Sequence, residues 1–130
     1  MKKLRSGFTI LEIVIVLAAV TLGIVLFFNT KLQTDATARD SQRKTSINAM
    51  YFALEEDFFK NNGFYPEQLN ADTLKSIDPN LFADPFGQNI NTADGSFFYE
   101  PTSCVDGECQ HYTLRAFLER EDEFIRSSRH

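Results

Sequence analysis

Gly7-Phe8-Thr9-Ile10-Leu11-Glu12 opens an apolar run, Phe8 to Phe28, that holds a single charged side chain, Glu12. The reading of this stretch decides the fold. A helix over its 21 residues would measure roughly 31 Å, enough for the hydrocarbon core of a bilayer. A carboxylate inside such a helix costs about 2.5–3.5 kcal/mol on insertion scales unless it is paired. Glu12 therefore calls for a cationic partner. The residues before the run are few and basic, with Lys2, Lys3 and Arg5. Basic flanks stay on the cytoplasmic side, so the chain after Phe28 is expected outside it.

A secretory signal peptide has an apolar core of about 7–15 residues followed by a small-residue cleavage site. Here Ala18 and Ala19 sit inside the run, with Leu22 to Phe28 still to come. A signal anchor with an incidental Glu is a second reading. A buried amphipathic helix is a third, and the lack of charge from Ile13 to Phe28 argues against it.

The short basic leader, Gly7, Phe8, Glu12 and the full apolar helix together resemble the class III signal of type IV pilins and type II secretion pseudopilins. The resemblance covers about the first 30 residues. It implies that a prepilin peptidase cuts between Gly7 and Phe8 on the cytoplasmic side and methylates the new amino terminus of Phe8. It also implies that the helix is retained and that Glu12 and Phe8 serve subunit assembly. The physics fits, because cleavage would create a cationic amine on Phe8 able to pair with Glu12 of an adjacent subunit or of its own chain. An uncompensated buried carboxylate is costly and a paired one is tolerated. Many type IV pilins carry a helix-loosening Pro in this region. No Pro occurs here between Phe8 and Tyr65, and Gly23 is the strongest helix weakener in the run. A local melt between Gly23 and Asn29 stays open at this point.

Residues 29–62 read as the same helix continued. Ile47, Met50, Tyr51, Leu54 and Phe58 recur at three-to-four spacing and form one apolar stripe. Arg43, Lys44, Glu55, Glu56 and Lys60 are assigned to the opposite, solvent face. Asn61-Asn62-Gly63 reads as a stop with Gly63 as a left-handed cap and Pro66 just beyond. Unbroken, the helix from Phe8 to Asn62 would reach roughly 80 Å, a shaft suited to packing with copies of itself.

The expected architecture is α+β: a cleaved leader (1–7), a membrane or filament-core helix (8–28), an amphipathic continuation (29–62) and a small antiparallel sheet head (63–130). Leu69 to Ile77 reads as a short helix capped by Asn70 or Asp72. Asp84-Pro85-Phe86-Gly87 reads as a tight turn with Phe86 in the core. That quartet and Asn61 to Pro66 resemble segments of pseudopilins and of some pilins. Strands are expected over Ser96–Glu100 and Gln110–Leu118, with a weaker one over Gln88–Thr92. Cys104 and Cys109 lie between the two main strands, and Asp106-Gly107 can form the turn that brings them together. Export favours a disulfide. Free thiols, or a zinc site using His111, are the alternatives.

The formal net charge is −5. The leader carries three of the 13 basic side chains and none of the 18 acidic ones, leaving the remainder at −8. That balance disfavours nonspecific nucleic-acid binding, so DNA binding is not indicated. The run Glu119 to Glu123 reads as a solvated terminus, with a Ca²⁺ site drawing on Asp84, Asp94 or Glu100 as its alternative. No metal or other cofactor is expected. His111 and His130 are the only histidines. No nucleophile–base pair, phosphate loop or H-E-x-x-H motif occurs, so no enzyme activity is expected.

The resemblance therefore implies a homo-oligomeric helical filament, built by pilus assembly machinery from a subunit that first spans the cytoplasmic membrane once and ends on the cell surface. Motility, adhesion or DNA uptake would be its service. A type II secretion or competence pseudopilin is the alternative. A monomeric, membrane-anchored binding module is the reading in which Glu12 is incidental.

Overall fold

A computed structural model describes residues 7–130; Met1 to Ser6, the body of the leader with Lys2, Lys3 and Arg5, lies outside the described residues. The architecture is α+β, with one long N-terminal helix packed on a small antiparallel four-stranded sheet. Helix α1 spans Ile10–Ala53 and passes unbroken across Gly23 to Asn29. It runs into a π-helical turn, Leu54–Phe58, closed by Phe59 N–H donating to Leu54 O, and ends in α2, Phe59–Asn62. Gly63 stops it at φ 79°, its N–H donating to Phe59 O at 2.7 Å. This is the left-handed cap expected from Asn61-Asn62-Gly63, a conformation that carries no Cβ penalty in glycine.

The chain forms two compact units, residues 1–35 and 36–130. Every residue from Gly7 to Asp35 is exposed. In the second unit, strands β1 (Tyr65–Pro66), β2 (Phe97–Val105), β3 (Glu108–Ala116) and β4 (Phe124–Ser127) form one sheet centred on β3. β2 pairs along one edge of β3, with Tyr99 opposite Leu114 and Phe97 opposite Ala116. β1 and β4 pair antiparallel with β3 at its two ends, Cys109–Glu108 and Thr113–Ala116 respectively. Period-2 alternation puts Phe97, Tyr99, Tyr112, Leu114 and Ala116 inward against Ile47, Met50, Tyr51 and Leu54 of the helical stripe. The core forms because each apolar face is otherwise open to water.

Asp106 and Gly107, at φ 53° and 85°, make the two-residue turn between β2 and β3, the type whose twist matches the flanking strands. Cys104 and Cys109 face each other directly across it and are joined as a disulfide. The outer edge of β2 is partly closed by Asn91, whose N–H donates to Phe97 O while its Oδ1 accepts from Tyr99 N–H.

Several expectations are corrected. Leu69 to Ile77 is a turn and not a helix. Asn70 Oδ1 accepts from Asp72 N–H and Thr73 N–H, and these local bonds hold the chain in a turn that is not propagated. Leu69 and Leu74 still enter the core. Gln88–Thr92 is no strand: only the single bridge Ala83–Asn89 forms, and Asn91 at φ 63° turns the chain away. Asp84 to Gly87 is the expected turn, with Gly87 at φ 81° and its N–H on Asp84 O. However, Phe86 is 65% exposed at the tip of that turn, and Phe82 fills the core there. β4 and the short β1 were not expected.

Candidate functional site

The start of α1 is built from Thr9. Its hydroxyl accepts from Glu12 N–H at 3.3 Å, and its carbonyl accepts from Ile13 N–H at 3.2 Å, the first turn of the helix. Thr9-Ile10-Leu11-Glu12 has the spacing of a capping box, with a hydroxyl residue as cap and a Glu at the third helical position. Glu12 also lies in the first turn, where the helix dipole favours negative charge. Among the described residues no basic side chain is ion-paired with Glu12. Gly7 and Phe8 precede the cap and are exposed, Phe8 at 75%. Gly7 and Phe8 thus lie just before the helix and Glu12 in its first turn. The capping role of Thr9 was missed, although the hydroxyl–Glu spacing was legible.

Beyond this point the helix offers a surface with little polar demand. Thr21 Oγ1 donates to Leu17 O and Ala18 O, Asn29 to Val25 O and Thr30 to Leu26 O. These side chains satisfy themselves on their own backbone, the usual solution for a hydroxyl in an apolar helix. The helix is long and apolar enough to cross a membrane.

The second unit holds two buried polar networks. In the first, Asp40 and Arg43, 2% and 3% exposed, pair at 2.7 Å. Asp40 also accepts from the backbone N–H groups of Glu119 and Arg120, both at 2.8 Å. Burial pushes its carboxyl up, but these N–H groups and Arg43 outweigh that and hold it below the ordinary value. Glu119 takes Arg39 and Arg43 together, and hydrogen bonding to Arg39 leads in lowering it from 4.5 to about 2. Arg43 reaches Ser96 Oγ, which donates to Asp84. The run from Glu119 is therefore docked at its start. Arg43 is buried and does not sit on a solvent face, because Asp40, Arg43 and Ile47 lie on one three-to-four stripe.

In the second network Glu55, also expected on the solvent face, is 3% exposed. It lies in the π-helical turn, a feature often retained at functional positions. Its carboxyl accepts from Tyr112 Oη at 2.8 Å, Tyr65 Oη at 3.1 Å and Arg129 N–H at 3.2 Å. Burial first, then the charge of Glu55, pushes the Tyr65 phenol up to about 12, and Tyr112 is raised for the same reasons.

His111 Nδ1 is 2.8 Å from His130 O. Among the described residues no three His, Cys, Asp or Glu side chains converge as a metal site. Asp84, one of the ligands considered for Ca²⁺, accepts from Phe86 N–H, Gln88 N–H, Ser96 N–H and Ser96 Oγ. Its oxygens are committed to its own turn and to Ser96. Cys104 and Cys109 are neither free thiols nor zinc ligands.

No protein-family model, curated protein or solved structure matches the chain.

Proposed function

We propose that the chain is a structural subunit of a type IV pilus, processed between Gly7 and Phe8 and assembled through its N-terminal helix. The observation that carries this reading is the exposed apolar helix from Phe8 to Phe28, whose one acid stands in its first turn beside the proposed cleavage point. An apolar surface of that extent requires cover by lipid or by other helices. The amine released on Phe8 would supply the cation for Glu12, and the neutral surface beyond would leave this pair to fix the stagger between subunits. The subunit would cross the cytoplasmic membrane before assembly and then lie in a surface filament. The sheet head and its disulfide suit an exported position. The role is structural, with a prepilin peptidase and pilus assembly machinery as partners.

Mass spectrometry of the mature amino terminus tests the reading. A methylated Phe8 is the expected result, and full-length uncleaved protein in cells would overturn it. The Asp84 to Gly87 turn supports a second reading, a secretion or competence pseudopilin. Calorimetry of the full chain in detergent separates the two, since tight Ca²⁺ binding would favour the pseudopilin.

A further inference from the structure

The sheet leaves a notch on the edge of β3 that β2 does not cover. β1 pairs there with Glu108 and Cys109, β4 pairs with Thr113 to Ala116, and neither reaches Gln110 or His111. The gap exists because both covering strands are short, two and four residues. A cavity of about 570 Å³ opens at this place, lined by Gln110 and His111 among others, and that size suits a small molecule. Its aromatic side is fixed by the fold. The His130 ring lies flat on Phe59, with centroids 4.5 Å apart and planes 2° apart. Phe59 stacks in turn on buried Tyr65 at 4.8 Å. His130 O is held 2.8 Å from His111 Nδ1, and its Nε2 stands 3.9 Å from buried Glu55. These contacts set the rings in place, as in a site formed ahead of its ligand.

The β2–β3 hairpin supplies the rest of the lining, and its charge is negative. Asp106 in the turn and Glu108 just after it both line the cavity. Neither carboxylate is ion-paired among the described residues, and no lysine or arginine lines the cavity. Ser103 and Gln110 add polar side chains. Ser103, at φ 57°, leaves the β2–β3 ladder at the position that would face Gln110. The chemistry of the occupant follows from these groups. Ring faces attract cations and apolar bodies. Unpaired carboxylates repel an anion and gain nothing from a neutral molecule.

We propose that this cavity binds a small organic cation, an ammonium or guanidinium head on an apolar body. Asp106 and Glu108 meet the charge, and the stacked Phe59 and His130 rings meet the body. The site lies wholly within the sheet unit and rests on no reading of the N-terminal helix, so it goes beyond the filament reading and fails independently of it.

The test uses the full chain in an uncharged detergent and phenethylamine, which is cationic at neutral pH, as the probe. 2-Phenylethanol carries the same body without the charge, and 3-phenylpropanoate carries the opposite charge. Binding is followed by NMR through the methyl groups of Val105, which lines the cavity, with those of buried Leu114 reporting the core. Phenethylamine should shift the Val105 signals saturably. The alcohol should bind about tenfold more weakly, as expected when a cation's aromatic and carboxylate partners lose their charge to act on, and the carboxylate should not bind. A variant carrying both Asp106→Asn and Glu108→Gln should bind phenethylamine as weakly as the wild type binds the alcohol. Asparagine suits the same left-handed turn position, and unmoved Leu114 signals verify that the variant head is folded. Equal binding of amine and alcohol by the wild type would overturn the proposal without recourse to any variant. A shift that never saturates, which is partition into the micelle only, or undiminished binding by the folded variant would overturn it as well.

Discussion

Residues 10–35 and 36–53 belong to one helix, yet they are stabilised by different things. The first stretch buries nothing within the chain, and its Thr21, Asn29, Thr30 and Thr34 side chains bond to their own helix backbone. The second buries Asp40, Arg43, Ile47, Met50 and Tyr51 against a sheet. Helical periodicity is the same in both; what differs is who supplies the cover. A substitution in the second stretch should therefore be felt as a change in head stability. One in the first should be felt only when copies or lipids are present.

The largest expected effect separates the two regions completely. Glu12→Ala should abolish sheared filaments while leaving the thermal unfolding of the full chain in detergent unchanged; filaments at normal yield would break the distinction. Asp40→Ala should do the reverse, destabilising the head by about 3–5 kcal/mol, because it strips one partner from buried Arg43. Denaturant melts of the full chain give that number. An acid titration sharpens the same point. The depressed Glu119 carboxyl contributes stability that is present above its ordinary 4.5 and lost as pH falls toward about 2. Glu119→Gln should flatten the melting-temperature profile across that window.

Smaller effects test the helix end. Gly63→Ala forces a side chain into a left-handed cap and should cost about 1–2 kcal/mol by chemical denaturation. Lys60→Ala removes an ion pair with Glu56 that faces solvent, so the midpoint should not move measurably.

Much of this was legible in the sequence, for identifiable reasons. Ile47, Met50, Tyr51 and Leu54 repeat at helical spacing because one face is buried. Tyr112, Leu114 and Ala116 alternate because one face of β3 is. Gly63 and Asp106-Gly107 show themselves because few residues tolerate their backbone angles. Reading failed where burial is polar. Arg43 and Glu55 sit on the apolar stripe, but charge was taken as a sign of solvent. It failed again at β4, whose four residues are too few for their alternation to stand out and of which only Phe124 packs as an apolar side chain against the core. Phe86 shows the opposite error: an aromatic residue was assigned to the core, while the turn fixed by Asp84 puts it outside, near the guanidinium groups of Arg39 and Arg43. At the candidate site Gly7, Phe8 and Glu12 were legible as a spacing, and Thr9 was overlooked because it lies inside the quoted motif.

The asparagine at the margin of β2 has a consequence for crowding. An open strand margin is a template on which another chain can add by main-chain pairing, and repeated addition leads to fibrils of the cross-β kind. Asn91 occupies the first pairing positions of that margin, and Pro101 offers no N–H farther along. Heads brought to high density are thereby discouraged from zipping into a continuous sheet, and in the proposed filament order among copies would be left to the helices.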